Sequence, residues 1–110
     1  MSRANWSVEA SDDRIAAVDP DGQLATIAMS DLGRVFIETN DSGPFGEDVW
    51  WLLLGRNERV AVRFPQSADG EHAAVEALLK LPGFNYEQMI TAMGSTEHAF
   101  FPVWRRSDED

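Results

Sequence analysis

The run Asp48-Val-Trp-Trp-Leu-Leu-Leu54, closed by Gly55 and preceded by the turn-rich, acidic residues 39–47, decides how the rest of the chain folds. In an extended strand successive side chains point to opposite faces, so Val49, Trp51 and Leu53 share one side and Trp50, Leu52 and Leu54 the other. Both faces are apolar. A strand with one wet side would alternate apolar with polar residues, so this one is expected at the centre of a sheet and covered twice, by its own fold or by a partner.

Its neighbours in sequence read as further strands. Residues 34–39 are β-branched and aromatic, with Val35 and Ile37 opposed to Phe36, and are expected beside the central strand. Residues 55–58 form a hairpin turn, and residues 59–64 return with Val60, Val62 and Phe64 inward and Arg59, Ala61 and Arg63 outward, until Pro65 ends the strand. Towards the N-terminus, Trp6, Val8 and Ala10 alternate as a first strand. Residues 14–18 and 23–28 make two more, joined by Asp19-Pro-Asp-Gly22, where Pro presets the bend and Gly accepts positive φ. Ser30-Asp-Leu-Gly33 predicts one capped helical turn linking two strands.

From Asp69 the apolar period changes from two to about 3.6. Ala74, Val75, Leu78, Leu79 and Leu81 form a stripe stopped by Pro82-Gly83. A second helix follows, capped by Asn85 with Gln88 at the reciprocal position, and its stripe of Tyr86, Met89, Ile90 and Met93 ends at Gly94. Residues 99–105 read as a last strand, placed at an edge because Pro102 has no N–H to donate. Residues 1–5 and 106–110 read as flexible ends of a single domain spanning residues 1–110.

Charge and composition narrow the function classes. Nineteen Asp and Glu against nine Lys and Arg give a net charge of −10, spread along both halves of the chain without a basic stripe. Such a field disfavours nucleic acid and anionic lipid as partners and favours a basic protein. The absence of cysteine removes disulfides, thiolate catalysis and cysteine-containing zinc sites. With neither a membrane-spanning run nor an apolar leader in the sequence, the expected location is the cytoplasm.

Candidate chemistry is sparse. His72 and Glu76 stand at the i, i+4 spacing of two metal ligands, without an identifiable third, and a solvated helix face explains them more simply. Ser95, Glu97 and His98 bring a hydroxyl, a carboxylate and an imidazole close in sequence, but triads are assembled from separate elements, and a capping loop is the plainer reading. Asp19-Pro-Asp-Gly22 lacks the further ligands of a calcium loop. No cofactor is expected. The strongest contact candidate is the acidic loop, in which Asp41, Ser42, Glu47 and Asp48 surround Phe45, a combination suited to a basic partner; its structural alternative is a turn with Phe45 folded on the sheet edge.

The segments Thr39-Asn-Asp-Ser-Gly-Pro-Phe45, Asp48-Val-Trp50, Leu81-Pro-Gly-Phe84, Met93-Gly-Ser-Thr96 and Phe101-Pro-Val-Trp104 resemble the marker segments of a family of small bacterial proteins of about this length. The resemblance covers most of the chain. It implies a single-domain protein of undefined function and supplies no catalytic residue. A strand-rich body followed by helices is also similar to pleckstrin-homology-like folds, from which the chain departs in having two helices before a final strand.

The expected fold is therefore α+β: a curved, mostly antiparallel sheet of six to seven strands, two consecutive C-terminal helices on one face, and a final edge strand. The second face of the central strand is hidden by curling into a partial barrel or, in a flat sheet, by a face-to-face second copy; curling is favoured because the strands are short. The expected function is a non-catalytic acidic interaction or regulatory protein, including an immunity-type inhibitor of a basic protein. The alternatives are a small hydrolase using His98 or His72 and a ligand-binding module using the aromatic interior.

Overall fold

The computed structural model describes residues 5–40 and 49–107. The fold is α+β, and the described residues form seven antiparallel strands in two sheets and two α-helices. β1 (Ser7–Ala10), β2 (Arg14–Val18) and β3 (Leu24–Ala28) form a meander. β4 (Leu32–Thr39), β5 (Val49–Gly55), β6 (Val60–Pro65) and β7 (Ala99–Arg105) form the second sheet in the order β6-β5-β4-β7. The apolar run is thus an interior strand, with β4 beside it, and the proline-bearing β7 lies at an edge.

The single curved sheet expected from the sequence is divided in two. Between β3 and β4 the chain makes a 3-10 turn, Met29–Asp31, and these two strands do not pair. This turn carries no side-chain cap. The chain after β6 then returns to β1: Asp69 N–H donates to Trp6 O (2.9 Å), and Val8 N–H donates to Asp69 O (2.8 Å). Redirection at both points folds the meander over the inner face of the larger sheet instead of extending it. The larger sheet and the meander thus share one core without a hydrogen-bonded junction between them.

α1 (Glu71–Leu79) and α2 (Tyr86–Met93) complete the cover of that inner face. One core joins all the layers: Ile15 and Ile27 from the meander, Ile37, Trp51, Leu53 and Phe64 from the larger sheet, Ala74 and Leu78 from α1, and Ala92 from α2. Asn85 caps α2 as expected, its Oδ1 accepting from Gln88 N–H at 2.9 Å, and its own N–H donates to Val103 O at 2.7 Å, which ties the helix to β7.

The outer face of the larger sheet is where the sequence reading needs correction. Trp51 and Leu53 are fully buried; on the opposite side Leu52 is buried as well, while Trp50 and Leu54 are only half-buried. Two side chains lie against Trp50. Trp6 meets Trp50 edge to face with ring centres 5.4 Å apart, and the Arg63 guanidinium sits 4.7 Å above the Trp50 ring. Val60, expected inward, is 51% exposed because a bulge in the β5–β6 ladder sets it opposite Leu54.

Gly70 holds the junction between β1 and α1. Its φ is +87°, and a Cβ there would run into the Val8 carbonyl oxygen. Gly22 has the same backbone conformation (φ +86°) with open space around it. Gly22→Ala is therefore expected to cost about 1 kcal/mol, the left-handed penalty alone, and Gly70→Ala more than about 2 kcal/mol, since Val8 must also move. Urea unfolding midpoints of the two variants check the order; equal losses would refute the steric reading.

Candidate functional site

The sequence places Ser95, Glu97 and His98 side by side, but folding separates their roles. His98, just before β7, finds its carboxylate 60 residues earlier: His98 Nε2 lies 3.1 Å from Glu38 Oε2 on β4. The Ser95 hydroxyl instead contacts Thr39 Oγ1 and Glu97 O, each at 3.4 Å, and accepts from Glu97 N–H at 3.2 Å. Buried Thr39 donates to Glu97 O at 2.7 Å, so this loop is a pinned connection into β7. A carboxylate that orients an imidazole is one part of acid–base machinery. Among the described residues no hydroxyl is hydrogen-bonded to His98.

His72 and Glu76 pair at 3.1 Å along α1, with side chains 89% and 59% exposed. The solvated face anticipated from their spacing is what the helix presents. Among the described residues no three His, Asp or Glu side chains come together as a metal site. The Asp19 turn is self-satisfied: Oδ1 accepts from the N–H groups of Asp21 and Gln23, both at 2.9 Å.

Glu71 sits in a setting that shifts its titration. Glu71 opens α1 beside the buried Trp51, whose indole Nε1 has no hydrogen bond of standard geometry. Burial pushes the Glu71 carboxyl above its ordinary value, and the neighbouring Trp51 N–H and His72 pull it partway back.

The surface is more informative than these pairs. α2 was expected to bury Tyr86, Met89, Ile90 and Met93, yet Ile90 is 67% exposed, Tyr86 52% and Met93 38%. Ala92 is buried instead, with Gln88 and Met89 partly so. The helix is rolled by about 100°, one residue's rotation, from the orientation its apolar stripe suggests. Tyr86 is held in place, its hydroxyl donating to Leu79 O at 2.6 Å and its ring resting 5.2 Å from that of Phe84. Tyr86, Ile90 and Met93 therefore form an outward i, i+4, i+7 row. A hydrophobic stripe alone cannot reveal this, because the same spacing serves a core or a docking surface; Ala92 is the one hint that a small residue seats the other side against the sheet.

The acidic loop residues Asp41, Ser42, Phe45, Glu47 and Asp48 lie outside the described residues. Elsewhere the negative charge is concentrated: residues 5–31, the meander with its turns, hold Glu9, Asp12, Asp13, Asp19, Asp21 and Asp31 against Arg14 alone. Among the described residues no helix is long and apolar enough to cross a membrane.

No protein-family model matches the chain, and no curated protein or solved structure is similar enough to give it a family or a function.

Because the folded state raises the Glu71 pKa, it holds that proton more tightly than the unfolded chain does. Stability from this group is present below the ordinary value of 4.5 and is lost as pH rises through the elevated one. Glu71→Gln is expected to raise the urea midpoint at pH 7 and to leave it nearly unchanged at pH 4. A gain of the same size at both pH values would show that the charge is not responsible.

Proposed function

We propose that this chain is a non-catalytic, cytoplasmic interaction protein that binds a basic protein partner, in the manner of an immunity-type inhibitor. The observation that carries this reading is the outward row of Tyr86, Ile90 and Met93 on α2. The row projects outward from a helix docked by its other side, and exposed large side chains of this kind suit the centre of a protein contact. Charge supplies the chemistry of the partner. A net charge of −10, with six carboxylates to one arginine across residues 5–31, steers a basic protein towards the molecule and repels acidic ones. The acidic loop with Asp41, Glu47 and Asp48 adds to the same field.

The hydrolase alternative draws on His98 and Glu38, a pair without a bonded nucleophile among the described residues. The interaction reading uses more of what is exposed.

Two variants test the proposal. Ile90→Asp places a charge in the centre of the α2 row, and Leu24→Asp does the same at an exposed leucine on β3 (66% exposed) that is no part of that row. The expected result is a basic partner, recovered at low ionic strength and then purified, that binds the wild type and Leu24→Asp equally and Ile90→Asp at least tenfold more weakly. Charge reversal at Asp41, Glu47 and Asp48 is expected to weaken binding further at low salt than at high salt. Full-strength binding by Ile90→Asp, or a recovered partner that is acidic, would overturn the reading.

A further inference from the structure

A second surface has the opposite electrostatic character. β4 begins, β5 ends and β7 ends at one edge of the larger sheet, since antiparallel pairing sets Leu32 opposite Gly55 and Arg34 opposite Arg105. The arginines at or just beyond these strand ends meet there: Arg34, Arg56, Arg105 and Arg106, four of the nine Lys and Arg residues in the chain, line an open groove of about 1010 Å³. Glu58 is the one carboxylate among its described lining residues, and Trp104 forms part of its wall.

Three of the four, Arg34, Arg56 and Arg106, are positioned by backbone carbonyls and aromatic rings. Arg106 is fixed three times: its N–H donates to Gly33 O (2.8 Å), Nε to Leu32 O (2.8 Å) and Nη2 to Met29 O (2.9 Å), with the guanidinium 5.5 Å from the Trp104 ring centre. Arg56 Nε donates to Ser30 O at 2.9 Å. The Arg34 guanidinium lies 4.7 Å above the Phe36 ring, and its buried Nε has no hydrogen-bond partner. Among the described residues none of these three has a carboxylate within 4 Å. Acid residues outnumber basic ones two to one, so counter-ions are abundant in the chain, and yet backbone carbonyls and aromatic rings are what hold these side chains. Carbonyl anchoring orients a guanidinium while leaving its full charge, and like charges so gathered repel until an anion enters.

We propose that this groove is a binding site for a phosphate-bearing small molecule with more than one phosphate group. Several forked donors on one side suit tetrahedral oxyanions, which accept paired N–H bonds from each guanidinium. Gly33 and Gly55 narrow the floor: a Cβ on Gly33 would stand 2.7 Å from Gly55 O, so the two strands approach there as only glycine permits. The site is separate from the α2 row and does not depend on the interaction reading.

Tripolyphosphate is the probe, added to the full chain at low ionic strength and followed by isothermal titration calorimetry and thermal unfolding. The expected result is saturable binding that raises the melting temperature and weakens at least tenfold in Arg34→Gln and in Arg56→Gln. Arg14→Gln, which removes a charge outside the groove, is expected to bind as the wild type does. A variant carrying Asp108→Asn, Glu109→Gln and Asp110→Asn removes the acidic residues that follow Ser107 in sequence, and is expected to bind at least as tightly as the wild type. The proposal is overturned if neither the wild type nor this variant binds tripolyphosphate. It is equally overturned if Arg14→Gln loses as much affinity as the two groove variants, which would make the binding a matter of overall charge.

Discussion

The structure depends on one buried row. Val49, Trp51 and Leu53 occupy the inner face of β5, and the last two are withdrawn completely from water. Each large apolar side chain so buried contributes on the order of 1.5–3 kcal/mol, and a row of them on an interior strand forces other elements to supply a second layer. That layer has two sources: the β1–β3 meander, swung over the sheet by the turn at Met29–Asp31, and the two helices that follow β6. The return of the chain at Asp69 to pair beside β1 fastens the meander in place.

The outer face is covered less completely by the described residues: Leu52 is buried, whereas Trp50 and Phe36 stay half-buried, with Trp6 and Arg63 against Trp50 and Arg34 over Phe36. Stacked arginines cover aromatic faces while keeping their charge in water. Arg34 thus has two settings at once, above Phe36 on the sheet face and at the edge of the arginine-lined groove.

The two surfaces with functional character both arise from how elements are seated. α2 is tied to β7 through Asn85 and Val103, and that attachment, with the small Ala92 against the sheet, fixes its rotation and sends Tyr86, Ile90 and Met93 outward. Periodicity locates a helix and its apolar stripe, but the direction the stripe faces is set by the docking partner. The arginine groove is invisible to a linear reading for a different reason. Its members come from positions 34, 56, 105 and 106, and no window of the sequence shows them as a basic cluster.

What the sequence by itself determined is local. Alternation and turn chemistry placed the strands, Asn85 and Gly94 bounded α2, Pro102 marked an edge strand, and the apolar run of β5 required an interior position. These follow from backbone preferences and side-chain period, which act over a few residues. The tertiary structure alone decided that the strands form two sheets, that His98 pairs with Glu38 and not with Glu97, which way α2 faces, and that arginines from distant strand ends share one groove. Each of these depends on contacts between residues far apart in sequence, where packing outweighs local preference and no short pattern records the outcome.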